Sequence, residues 1–141
     1  MRETLDGFAS LRGVATSAVD RLLVELGLEE RGEQLVETLS GGWRQKVALA
    51  VALVGDPSLL LLDEPSASLD DATRLTLLET LQRLKAAGKT IVFVSHSAEA
   101  VKKICDRACV LDHGSLVFLG KPQEAIEHYH QLLGQQSLPA T

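Results

Sequence analysis

Four consecutive leucines, Leu59 to Leu62, run directly into the carboxylates Asp63 and Glu64. A short apolar run that ends at polar residues predicts a β-strand, and leucine at every position predicts a strand that is buried on both faces. Open α/β sheets bind their ligands beyond the carboxyl ends of such strands. We therefore expect Asp63 and Glu64 to lie at a ligand-binding edge of a sheet.

A second feature, Ser40-Gly41-Gly42, precedes an apolar segment that runs from Trp43 to Val54 and predicts a mostly buried helix. A serine and two glycines at the head of a helix leave unhindered backbone N–H groups at the positive end of the helix dipole. Such a helix start predicts an anion-binding site. The cations Arg44 and Lys46 in the first turn are either solvated or add to the positive field there.

The segments that follow the carboxylates predict a βαβ unit. A helix capped by Ser68 ends at Gly88, and the strand Thr90–Ser95 follows it. A strand, a helix and a second strand in this order form a parallel pair, so the sheet should be at least partly parallel. Further on, Asp112–Ser115 predicts a hairpin turn, and Pro122 suits the first turn of a last helix.

Length and charge limit the classes of protein to which the chain can belong. With 141 residues, of which 45% are hydrophobic, it fits one domain with an ample core. The net charge is −5, and the sequence has no basic stripe that could neutralise the phosphates of a nucleic acid. We therefore expect no nucleic-acid partner. The sequence contains no apolar run long enough to span a bilayer, so any connection with a membrane would go through a partner.

Together these motifs resemble the ATP-binding cassette (ABC) ATPases, and the resemblance extends from near Met1 to about Leu133. Ser40-Gly41-Gly42 matches the signature motif of the family, Leu59 to Glu64 the Walker B strand with its following Glu, Ser68-Leu69-Asp70 the D-loop, and His96 the switch histidine. Four motifs in the right order are hard to produce by chance. The resemblance covers the C-terminal part of a nucleotide-binding domain.

The resemblance implies an α/β fold of the P-loop NTPase kind, with a partly parallel sheet and flanking helices. Residues of about 1–55 would be the signature segment with a remnant of the helical subdomain, and about 56–133 would run from Walker B to the C-terminal part. Residues 134–141 are expected to form a disordered tail. The N-terminal strands, the phosphate-binding loop (Walker A) and the Gln-containing loop are expected upstream of Met1.

One tripeptide imitates the end of a phosphate-binding loop. Gly88-Lys89-Thr90 has the right residue types, but the motif needs a glycine five residues before the Gly-Lys pair and a helix after it. Arg83 stands at the glycine position, and a strand is predicted next. We therefore reject this tripeptide as a phosphate-binding loop.

The resemblance implies a role for each matched polar residue. Asp63 would hold Mg²⁺, and Glu64 would orient the attacking water or act as the general base. His96 would contact the γ-phosphate of ATP. The plainer interpretations are a helix-capping acid for Glu64 and a packed or hydrogen-bonded histidine for His96, and the order of the motifs favours the catalytic roles.

In this family each ATP lies between the phosphate-binding loop of one domain and the signature of a second. Ser40, Gly41, Gly42 and Trp43 would accordingly face an ATP that the partner domain holds. Asp70 would touch that partner, with simple helix-start electrostatics as the plainer interpretation. Trp43 stands where the family most often has Gln, and we expect it to alter packing rather than abolish function.

The implied function is that of the ATP-binding and ATP-hydrolysing subunit of an ABC transporter. It would pair with a second nucleotide-binding domain and with a transmembrane permease, at the cytoplasmic face of the membrane. The chain alone is expected to be inactive because it lacks the phosphate-binding loop. The alternatives are a non-catalytic module that supplies the signature in trans, and an ABC ATPase of DNA repair or translation, against which the acidic charge balance argues.

Overall fold

The computed structural model describes residues 1–67 and 69–136, without the side chains of 135 and 136, and contains both helices and strands. Ser68, the predicted helix cap, and residues 137–141 of the predicted tail lie outside the described residues. The chain divides into two units, Met1–Val94 and Ser95–Thr141. The α/β fold class predicted from the sequence is confirmed.

The first unit contains four helices and two strands among its described residues. In chain order these are α1 (Arg2–Leu11), α2 (Thr16–Glu25), α3 (Gly41–Leu53), β1 (Leu59–Asp63), α4 (Asp71–Ala86) and β2 (Thr90–Val94), with 3-10 turns at Glu29–Arg31 and Val36–Thr38 between α2 and α3. Leu5, Val19 and Leu23 are fully buried where the first two helices pack together.

The last turn of α3 is tied to the end of α1 by one side chain. The Arg12 guanidinium donates a hydrogen bond to the Val51 carbonyl oxygen at 3.1 Å and another to the Val54 carbonyl oxygen. A cation is favourable at a helix C-terminus because the last carbonyl groups and the helix dipole are negative there. Arg12 therefore fixes the end of α3 that lies opposite the Ser-Gly-Gly segment (Ser40–Gly42).

The two strands of this unit are parallel, as the βαβ pattern predicts. Leu59 pairs with Thr90 at one end of the ladder, and Asp63 pairs with Val94 at the other. Before the strands begin, the Lys89 ammonium donates hydrogen bonds to the Asp56 carbonyl oxygen at 3.2 Å and to its carboxylate. Lys89 thus joins the starts of the two strands, which agrees with the rejection of a phosphate-binding loop here.

The prediction that β1 is buried on both faces is wrong. Leu60 is 2% exposed, but Leu61 is 71% exposed on the opposite face. Together with Leu59 and the paired residues Val92 and Val94, Leu61 forms an exposed apolar surface, here called the open sheet face. Side chains alternate across a strand, so a run of leucines supplies both faces equally although protein covers only one of them.

The second unit consists of α5 (Ala98–Ile104), β3 (Ala108–Asp112), β4 (Ser115–Gly120) and α6 (Pro122–Gln136). The two strands form the predicted antiparallel hairpin, and α6 begins at Pro122 as predicted. The helix includes residues 134–136, so the prediction that the disordered tail begins at 134 is wrong for these three residues. The two-residue turn of the hairpin, His113-Gly114, has positive φ angles of 45° and 78°. This turn geometry matches the twist of the two strands. Across the described ranges, no helix is both long enough and apolar enough to cross a bilayer.

The open sheet face predicts self-association of this chain. Exposed apolar surface and open sheet edges both favour pairing between copies. We expect light scattering to give a mass above that of the monomer, and Leu61→Ser to lower it toward the monomer value. Leu11→Ser is the matched control, because Leu11 is 84% exposed but lies on α1. A monodisperse parent monomer, or equal effects of the two substitutions, would contradict the prediction.

Candidate functional site

The Ser-Gly-Gly segment lies at the start of α3, as predicted. Ser40 is exposed with extended backbone angles, and Gly41 is the first helical residue. The Ser40 side chain accepts no hydrogen bond from the first turn of α3, whereas the side chains of Asp70 and Ser97, the caps of α4 and α5, each accept a backbone N–H. The first N–H groups of a helix have no partner within the helix. The cap of α3 therefore leaves these groups available to an anion.

The two glycines of this segment have different surroundings. A Cβ atom added at Gly41 would meet nothing within 4 Å, but one added at Gly42 would lie 2.9 Å from Cγ2 of Thr73. At position 42 a Cβ could be added only if Thr73 on α4 shifted, so packing favours glycine there. At position 41 the bare backbone faces open space, where an external group can approach it.

Trp43 holds two cations beside the start of α3. Its ring centroid lies 4.7 Å from the Arg31 guanidinium carbon and 4.9 Å from the Lys46 ammonium nitrogen. Cation–π contacts of this kind contribute about 0.5–1 kcal/mol at exposed sites. Lys46 is one helical turn from Trp43 and is half-buried, whereas Arg44 is exposed. Of the two first-turn cations, Lys46 is thus held in a defined place.

The carboxylate pair (Asp63 and Glu64) ends β1. Asp63 is exposed and closes the parallel ladder, and Glu64 continues it by donating its backbone N–H to the Val94 carbonyl oxygen at 3.0 Å. Glu64 has a φ of 44°, which is uncommon for a residue other than glycine. Such a conformation costs on the order of 1–3 kcal/mol and occurs preferentially at functional sites. The turn at Glu64 is therefore a second reason, besides the motif, to place chemistry there.

The donor set at the carboxylate pair fits magnesium better than a transition metal. Among the described residues, no three His, Cys, Asp or Glu side chains gather closely enough to hold a metal ion by themselves. Mg²⁺ is commonly bound through one or two carboxylates, with phosphate oxygens and waters as the remaining ligands. Asp63, exposed at the end of β1, meets that requirement.

Asp70 is the cap of α4, which corrects the prediction that Ser68 caps this helix. One carboxylate oxygen of Asp70 accepts the Thr73 backbone N–H at 2.8 Å, and the other accepts the Thr73 hydroxyl at 3.0 Å. These bonds favour the ionised carboxylate and hold the pKa of Asp70 below its usual value. The structure therefore agrees with the plainer interpretation of Asp70, in which its charge stabilises the start of a helix. Contact between Asp70 and a partner stays a prediction.

The switch candidate His96 lies in the second unit and is exposed. It precedes Ser97, the cap of α5, whose side chain accepts the Ala100 N–H at 3.3 Å. Its predicted contact with a γ-phosphate stays a prediction. In the first unit, by contrast, the structure brings the start of α3 against the start of α4 through Thr73, a residue that the motifs did not indicate.

Comparison with known proteins gives one family and several relatives. Residues 2–67 match the family model described as ABC transporter. The chain is 38% identical over 133 residues to the Nod factor export ATP-binding protein I of Rhizobium sp. (strain N33), covering 92% of this chain and 44% of the relative. It is 39% identical over 127 residues to the methionine import ATP-binding protein MetN of Haemophilus ducreyi, covering 89% of this chain and 37% of that one.

Acid should remove the contribution of Asp70 to stability. Because its pKa is lowered in the folded chain, this contribution is full above the unfolded pKa of about 3.9 and is lost as the pH falls through the folded pKa. Asp70→Ser keeps a helix-capping oxygen but cannot titrate. The difference in urea midpoint between parent and variant should be constant from neutral pH down to mildly acid pH and then shrink. A difference that does not change with pH would refute this role of the charge.

Proposed function

This chain belongs to the ABC transporter ATP-binding family, and on that premise we propose that it supplies the signature and Walker B parts of an ATP site. The site would couple ATP hydrolysis to transport through a separate membrane subunit. Since the chain spans 44% and 37% of the length of two relatives, the activity of the complete domain is part of the proposal.

The observation that carries the proposal is the start of α3, which has a cap without a capping hydrogen bond and an unobstructed first glycine. Backbone N–H groups that point outward at a helix N-terminus favour a phosphate. Arg31 and Lys46, both beside Trp43, add positive charge nearby. A triphosphate held by a second nucleotide-binding domain is the anion that this arrangement would take.

The carboxylate pair would serve the chemistry of hydrolysis. Bound Mg²⁺ neutralises phosphate charge, and Asp63 is the residue that would hold it. Glu64 would orient the attacking water or accept its proton, and its strained backbone fixes the direction in which the side chain leaves the strand. His96 would contact the γ-phosphate. ATP and Mg²⁺ are accordingly the proposed ligands.

The proposed partners are a second nucleotide-binding domain, which Asp70 would touch, and a transmembrane permease. The permease would hold the chain at the inner face of the membrane. The names of the two relatives describe opposite directions of transport, export of Nod factor and import of methionine.

The signature should act in trans. We expect no ATP turnover by the chain alone, and increased turnover when it is added to a relative's intact nucleotide-binding domain whose own signature is disabled. Gly41→Asp should abolish the increase, because a carboxylate would stand where phosphate binds while disturbing no neighbour in the chain. Gly7→Asp is the matched control, since a Cβ at Gly7 on α1 also meets nothing within 4 Å. Equal stimulation by both variants would exclude the trans function.

Glu64 should be required for hydrolysis but not for ATP binding. The test joins this chain to the N-terminal part of the Rhizobium relative, so that one polypeptide carries both the phosphate-binding loop and Glu64. Glu64→Gln should retain ATP binding by calorimetry and lower turnover by about 10²–10⁴, the usual cost of losing a general base. Glu79→Gln, on the exposed side of α4, serves as the control. Equal turnover in the two variants would remove Glu64 from the mechanism.

A further inference from the structure

Two segments that the motifs treat separately meet at one side chain. Thr73, in the first turn of α4, donates its backbone N–H and its hydroxyl to the Asp70 carboxylate at 2.8 and 3.0 Å. Its methyl group, Cγ2, is the atom that a Cβ on Gly42 would approach to 2.9 Å. One threonine therefore contacts the start of α3 and is bonded to the cap of α4.

The hydroxyl and the methyl group of threonine are both attached to Cβ, so they cannot rotate independently. A β-branched side chain is restricted to few values of χ1 in a helix. When the hydroxyl of Thr73 is bonded to Asp70, its methyl group is held at the position that abuts Gly42. Because Thr73 cannot turn its methyl group away without losing the hydroxyl bond to Asp70, a Cβ at position 42 would clash with it.

We propose that Thr73 is a positioning residue that fixes the first turn of α3 relative to Asp70. Its consequence for activity rests on the proposed function: the anion-binding helix start and the residue that would touch the partner are held as one unit. Thr76, one turn further along α4, has no such role, because its hydroxyl donates to the Ala72 carbonyl oxygen at 3.0 Å within the helix.

The test uses hydrogen exchange by NMR on the full chain, with two amides as probes. Arg44 N–H donates to the Ser40 carbonyl oxygen and Arg74 N–H to the Asp70 carbonyl oxygen, each at 2.9 Å. These bonds close the first turns of α3 and α4, so exchange at the two amides reports local opening of each turn.

In the background that keeps Thr73, Gly42→Ala is expected to speed hydrogen exchange at the Arg44 amide roughly 5- to 100-fold, because the added methyl group overpacks against Thr73. In a Thr73→Ser background the hydroxyl is retained and the obstructing methyl group is gone. There, Gly42→Ala should slow the same exchange, because alanine favours the helix more than glycine does. An effect of the same sign and size in both backgrounds would overturn the proposal.

The link to Asp70 is tested by Thr73→Val, which keeps the methyl group at Cγ2 and loses the hydroxyl bond. We expect faster exchange at both probe amides, whereas Thr76→Val, the same substitution one turn away, should leave the Arg44 amide unchanged. Gly41→Ala is the control for the glycine change, since its Cβ meets nothing within 4 Å. Identical effects of the two valine variants on the Arg44 amide would also refute the proposal.

A second readout separates positioning from simple stability. In the trans assay, Thr73→Val should lose most of the stimulation, whereas Thr76→Val, the same substitution one turn away, should keep it. Equal stimulation by the two valine variants, with the parent active, counts against Thr73. If the parent itself gives no stimulation, the proposed function fails, and the exchange measurements still decide whether Thr73 joins the two turns.

Discussion

The parallel pairing of β1 with β2 is the constraint on which the candidate site depends. It brings Asp63 opposite Val94, and the Glu64 N–H extends the ladder by one more bond to the Val94 carbonyl oxygen. A parallel pair requires a crossover, and here the crossover is α4. The start of α4 carries Asp70 and Thr73, and Thr73 in turn abuts the helix start that would take phosphate. Strand pairing therefore links both halves of the proposed site.

The sequence predicted the elements well because most of them depend on local chemistry. Apolar runs predicted the strands, and Pro122 predicted the start of α6. The His113-Gly114 pair predicted a hairpin turn, which requires positive φ angles. It failed for the faces of β1, since a strand of leucines carries no information about which face a neighbour covers. It also failed for the cap of α4, where Asp70 uses both oxygens on Thr73.

The candidate site was predictable only as far as its motifs reach. Residue order indicated the Ser-Gly-Gly segment and the carboxylate pair, but adjacent glycines look alike in a sequence and differ in the structure. Thr73 beside Gly42, and Arg31 beside Trp43, are contacts between residues distant in the chain. No local pattern could have identified them, because spacing predicts neighbours only within one helix or strand.

The most direct measurement uses Trp43, the single tryptophan of the chain, as a reporter next to the Ser-Gly-Gly segment. The chain is mixed with a tryptophan-free nucleotide-binding domain that binds ATP but has a disabled signature and does not hydrolyse ATP. If the start of α3 closes on the partner's nucleotide, Trp43 emission should change with Mg-ATP and not with Mg-ADP, because only ATP carries the γ-phosphate. Emission that stays the same with both nucleotides, or changes equally with both, would contradict a signature that binds ATP in trans.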